Sequence, residues 1–116
     1  MLINNVEIED LDFLEAGTME KIEQAQATYM EKSKKNDFNK YSEMIKYNCE
    51  LVFDLFNTIF GEGTDIKIFG NKCNLMDCVK AVTDLFTYID NKQKEAEEEY
   101  MVLTNKYLDR AQKKVE

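Results

Sequence analysis

The sequence predicts a mainly α-helical fold: a short N-terminal β-hairpin packed on a small helical bundle, with a long C-terminal helix. Three observations carry this. There is no proline and only four glycines among 116 residues, so few positions remove a backbone donor or favour a break. Leu51 to Phe60 reads LVFDLFNTIF, apolar except at Asp54, Asn57 and Thr58, which fall on one helical face. Finally, Leu75, Val79, Val82, Phe86, Ile89, Gln93, Ala96, Tyr100, Leu103 and Tyr107 step by four and three, a heptad-like seam in which only Gln93 is polar. The length suits one domain over residues 1–116.

The hairpin is expected over residues 1–10. Leu2-Ile3 and Val6-Glu7-Ile8-Glu9 flank Asn4-Asn5, a dipeptide that tolerates positive φ. Val6 and Ile8 share one face, Glu7 and Glu9 the other. A lone hairpin is marginal, so it must lie on helices. The first helix is expected over 18–35. Thr18 is its N-cap, Met19, Ile22, Gln26 and Tyr29 form a thin stripe, and Lys32, Lys34 and Lys35 close the last turn. The second, over 38–60, carries a polar stripe of Glu43, Lys46, Glu50, Asp54 and Asn57. All its other faces are apolar, which places it at the centre. Gly61 and Gly63 end it. Thr64 caps a short turn over Asp65–Phe69 that Gly70 closes, with Ile66 and Phe69 tucked onto the core.

Asn74 caps the last helix, expected over 75–112, with Asp77 at its third position. Met76, Cys78, Ala81, Leu85 and Tyr88 thicken the seam before Asp90, so that half belongs to the core. Asn91 to Glu99 is a polar neck. Apolar weight returns at Tyr100, Met101, Leu103, Tyr107 and Leu108. An unbroken helix over the seam runs about 50 Å, against about 28 Å for a globule of this size. The end therefore projects, packs on another chain, or folds back after a kink near Asp90 to Lys92.

Fifteen basic residues against 23 acidic ones give a net charge of −8. Such a surface repels phosphate, so nucleic acid is not an expected partner. The acids cluster at Glu7, Glu9, Asp10, Asp12 and Glu15, and again at Glu95, Glu97, Glu98 and Glu99. They serve as a solvated surface, or as an acidic face for a basic partner. No apolar run is long enough to span a membrane, and the N-terminus does not read as a signal peptide. Cys49, Cys73 and Cys78 are read as reduced thiols, hence a cytoplasmic location, with Cys49 and Cys78 as core filler.

The chemistry expected is non-enzymatic. With no histidine, the Ser-His and Cys-His nucleophile pairs are excluded and the commonest metal ligand is missing. Cys73 and Cys78 have no second ligand pair. Asp54 reads as a member of the polar stripe. No catalytic residue, metal or cofactor is expected. What remains is surface. The tip of the last helix combines Tyr100, Leu103, Tyr107 and Leu108 with Arg110, Lys113 and Lys114. Tyrosine and arginine are frequent anchors of protein interfaces. Lys113 and Lys114, with Arg110, also complement the helix dipole. Protein-binding residues are therefore expected at Tyr100, Leu103, Tyr107, Leu108 and Arg110.

Two segments carry a resemblance. The ending Asp109-Arg110-Ala111-Gln112-Lys113-Lys114 resembles the Asn-Arg-Ala-Gln-Arg-Arg-like tail of small proteins from phages of low-GC Gram-positive bacteria. It differs by Asp109 in place of Asn and by two lysines in place of arginines. Phe60-Gly61-Glu62-Gly63-Thr64-Asp65-Ile66-Lys67-Ile68-Phe69-Gly70 is similar to the Phe-Gly-Glu-Gly-Thr…Phe-Gly block of the same group. The resemblance implies a tail assembly chaperone in the host bacterial cytoplasm. It would bind the tape-measure or tail-tube protein by helix–helix contacts, and could form a homo-oligomer. The alternative is an acidic phage inhibitor, a decoy of a host defence or nucleic-acid enzyme.

Overall fold

The order along the chain is β1 (Leu2–Ile3), β2 (Val6–Glu7), α1 (Ala16–Lys32), α2 (Tyr41–Phe60), α3 (Thr64–Phe69) and α4 (Leu75–Val115). The structure is a computed structural model that describes the backbone of residues 1–115 and the side chains of residues 1–110. It is mainly helical, with the two-stranded antiparallel hairpin at the start and the long helix at the end.

The hairpin forms where Asn4 and Asn5 accept φ of 49° and 66°, the geometry of a two-residue hairpin turn. Leu2 pairs with Glu7 and Ile3 with Val6. The alternation works as the spacing predicts: Ile3 and Ile8 are buried while Leu2, Glu7 and Glu9 face out. The turn is fixed on α4, where the Asn4 side-chain amide donates to the Asp77 carbonyl at 3.0 Å. Further along, the Tyr88 hydroxyl on α4 donates to Asp10 at 3.1 Å.

α1 begins two residues before the expected start and ends at Lys32, three before the expected end. Its N-cap is Glu15 rather than Thr18. The Glu15 carboxylate accepts from the backbone N–H groups of Gly17 and Thr18, and the Thr18 hydroxyl donates to the same carboxylate. Thr18 thus serves the cap from inside the helix. Lys34 lies in the turn beyond it and Lys35 in the irregular segment that follows. Ile22 and Ala25 are buried; Met19 and Tyr29 pack at the core's edge, Tyr29 edge-on to Phe86 at 5.9 Å.

α2 starts at Tyr41 rather than residue 38. Phe38 instead packs on Tyr47, with the Lys35 ammonium over both rings, and the Tyr47 hydroxyl donates to the Lys32 carbonyl. These contacts fix the α1–α2 connection. Cys49, Leu51, Val52, Leu55, Phe56 and Ile59 are buried, whereas Glu43, Lys46, Glu50 and Asp54 face solvent. The narrow polar stripe is therefore real, and α2 is the central helix, packed against α1, α3 and α4. Phe56 sits at the middle, against Phe60 and Phe69.

The connector is built on Gly61 and Gly63, whose φ values of 111° and 91° suit glycine alone. Gly63, not Thr64, occupies the N-cap position of α3; the Thr64 hydroxyl donates back to the Gly61 carbonyl. Asn57 ties the two helices together. Its carbonyl accepts from Gly61 N–H and its side chain from Asp65 N–H. Ile68 and Phe69 enter the core, while Ile66 is exposed, contrary to expectation. One turn later the chain reaches Asn74, whose side chain caps α4 by accepting from Asp77 N–H at 3.0 Å, as expected.

α4 is one continuous helix through residues 90–92, with no kink and no fold-back. Its buried positions are Cys78, Ala81, Val82, Leu85 and Ile89. Val79 and Met76, expected inside, are exposed. The reason is geometric. A seven-residue repeat drifts about 20° per heptad on a straight helix. Over the ten residues from Ile89 back to Val79 that is only about 30°, and the width of the seam supplies the rest. At about 100° per residue Val79 lies about 80° round from Ile89, while Cys78, Val82 and Leu85 lie within about 40° of it. Among the described residues no polar or charged side chain is buried.

Candidate protein-binding surface

The overall extents are 72 × 28 × 20 Å. The long dimension comes from α4: from Cys78 to Ile89 it is part of the core, and beyond it leaves the body. The last covering contacts come from residues 11–14, which lie beside Lys92, Glu95, Ala96 and Glu99 around a shallow depression. Leu11 and Phe13 pack inward, Phe13 edge-on to Tyr88 at 5.7 Å, while Leu14 is exposed.

Past that point every expected binding residue is on the surface. Tyr100 and Leu103 are 61% exposed, Tyr107 72% and Leu108 52%. Arg110 is exposed as well. The C-terminal Lys113 and Lys114, with Ala111 and Gln112, lie outside the residues whose side chains are described. Met101 and Val102 are equally bare; the sequence signal for them was hydrophobicity without seam spacing. Tyr100, Leu103 and Tyr107 continue in line from Cys78, Val82, Leu85 and Ile89 by steps of three and four, through Lys92 or Gln93 and Ala96. The face that α4 buries within the body is thus the face it leaves bare at the tip. Met101 and Leu108 form a second row beside it.

Electrostatics divide the projecting segment. Glu95, Glu97, Glu98 and Glu99 surround its base, where Lys92 bridges Glu95 at 3.2 Å and the Gln93 amide donates to Glu97. Lys106 and Arg110 lie towards its end. The face is therefore acidic at one end, apolar in the middle and basic at the other.

Elsewhere the chemistry is sparse. Among the described residues no group of three or more histidine, cysteine or acidic side chains is arranged to hold a metal ion. The three cysteines are free; Cys49 and Cys78 are buried and Cys73 is exposed beside them. Burial pushes the Cys49 and Cys78 thiols up, away from the reactive thiolate. A groove between α1 and α2, lined by Gln24, Tyr29, Lys32, Asp54 and Thr58, holds no convergent set of reactive groups. No helix among the described residues is long and apolar enough to cross a membrane.

The fold and its surface define a class: a small α-helical body that extends one amphipathic helix beyond its own core. The chain belongs to DUF6673, a family of unknown function whose model matches residues 4–116. No curated protein and no solved structure matches it.

Proposed function

We propose that this is a non-enzymatic protein-binding protein that acts through the projecting part of α4. One observation carries the reading: the face of α4 that is buried from Cys78 to Ile89 continues as bare Tyr100, Leu103 and Tyr107. Large exposed apolar patches on small proteins mark interaction sites. An amphipathic helix presents such a patch in the form another helix can accept. The resemblance of the Phe60–Gly70 block and of the tail to small phage proteins gives the reading its most concrete form. That form is a tail assembly chaperone that pairs with helices of the tape-measure or tail-tube protein. The acidic surface, at −8, would keep such a complex soluble.

The test is association with a tape-measure protein encoded nearby, measured for the full chain and for Tyr100→Ala, Leu103→Ala and Tyr107→Ala. Each substitution should weaken binding while leaving the thermal midpoint of the dilute protein within about 3 °C, because surface positions contribute little to stability. A protein that binds no such partner and stays monomeric defeats the reading. An acidic decoy of a nucleic-acid enzyme is the second reading, favoured by the cluster at Glu95, Glu97, Glu98 and Glu99. Its binding would fall steeply with salt and with neutralisation of those four residues.

A further inference from the structure

We propose that the occupant of the bare α4 face in the free protein is a second copy of this chain, its α4 running antiparallel over residues 93–110. The proposal rests on the protein-binding reading of the same face and names its partner. Helices of this length are marginal without packing. Beyond the depression beside residues 11–14, the described structure offers this segment nothing of its own to pack on.

Three features select a second copy in this orientation. The first is size. Set antiparallel with the centre between Tyr100 and Leu103, the seam brings Tyr100 of each copy against Leu103 of the other, and the bulky Tyr107 against the small Ala96. Parallel pairing in register would instead stack Tyr107 on Tyr107 and leave Ala96 facing Ala96. Large against small is the arrangement that fills a seam.

The second feature is charge. Glu99 and Lys106 flank the seam on the same side, seven residues apart. In antiparallel helices same-side flanking positions meet across the seam. Glu99 of one copy then lies beside Lys106 of the other, and the twofold axis makes the contact twice. In a parallel pair Glu99 would face Thr104 instead.

The third is the base of the helix. The shallow depression beside Ala96 has Leu11, Leu14, Lys92 and Glu99 around it. In the antiparallel pair the other copy's Tyr107 enters that depression, and its Lys106 reaches the Glu99 rim. Leu14, otherwise bare, gains an apolar neighbour. The two acidic bodies stand at opposite ends of the paired helices, which keeps their like charges apart.

The experiment is sedimentation equilibrium of the full-length chain with reciprocal charge exchanges. Glu99→Lys alone and Lys106→Glu alone each create two like-charge contacts in the homodimer. Each should weaken it by roughly tenfold. Mixing the two variants restores opposite charges at both contacts, so the mixture should dimerise about as well as the native chain. The double variant Glu99→Lys/Lys106→Glu should do the same. Both positions are exposed, and thermal midpoints at low concentration verify that the variants fold. A native chain that is monomeric at roughly 100 µM overturns the proposal. So do single variants that dimerise unchanged, and a mixture no stronger than its components.

The dimer and the client separate cleanly. Loss of the dimer with retained binding to a tape-measure helix sinks this inference alone. A dimer with the expected exchange pattern and no affinity for such a helix sinks only the chaperone reading.

Discussion

Phe56 has no exposed surface and touches rings from α2 and α3. Phe56→Ala should cost about 3–5 kcal/mol in a denaturant titration, and Leu85→Ala about 2–5 kcal/mol. Asp10 sets a different, pH-dependent effect. The Tyr88 hydroxyl, then the N-terminal ammonium, hold its carboxyl below the ordinary value of 3.8. A depressed folded-state value stabilises the fold above the ordinary value, and the benefit is lost as pH falls through the depressed one. Asp10→Asn should therefore flatten the acid limb of stability between roughly pH 5 and pH 2, read as denaturation midpoints. The buried Cys49 and Cys78 act in the opposite range. Their thiols are raised, so stability holds at neutral pH and declines as alkaline pH ionises the same groups in the unfolded chain. At this scale the sequence was only partly legible. Hydrophobicity and spacing located Phe56. Nothing in the local pattern pairs Tyr88 with Asp10, because that contact joins residues 78 apart in the chain.

Elements were more readable than residues, and the misses have identifiable causes. Asn4-Asn5 announced a turn, Asn74 a cap, and the stripe on α2 a central helix; all three stand. The start of α1 was misplaced because Glu15, an unusual capping residue, takes the role that Thr18 is suited to. α3 is capped by Gly63 rather than Thr64 because that position takes a left-handed φ of 91°, which glycine adopts freely. The inner half of the α4 seam is shifted, because a stripe stepped by three and four is wide enough to leave Val79 about 80° round from Ile89, and the core takes Cys78 and Leu85 instead. Two substitutions probe these junctions. Asn74→Ala should remove the acceptor for Asp77 N–H and cost about 1 kcal/mol of folding stability. Gly61→Ala meets no neighbouring atom, yet its φ of 111° is closed to ordinary side chains. The backbone strain should cost about 1–3 kcal/mol. Thermal unfolding of both variants checks the pair of values.

For the whole molecule, the radius of gyration of 18.8 Å exceeds the roughly 13 Å expected of a compact chain this long. Small-angle scattering of a dilute sample should return the larger figure, and a folded-back tail would return the smaller. Amide exchange should divide α4 in the same way. Protection should be high from Cys78 to Ile89 and low past Glu97 in the monomer, rising in the outer part with protein concentration. The seam's length showed that a straight helix must outrun the body, but not that it stays straight, since a kink near Asp90 to Lys92 with a fold-back fitted the same pattern. Which atoms close the body was not legible, because Ile3 and Ile8 reach the core from the far end of the sequence.

That last connection orders events during synthesis. β1 finds its packing on α4, made much later in the chain, and the Asn4 anchor must wait for Asp77. Yet among the described residues Ile89 is the last that is buried. The exposed helical end is therefore the part of the chain that can lose its packing without opening the interior.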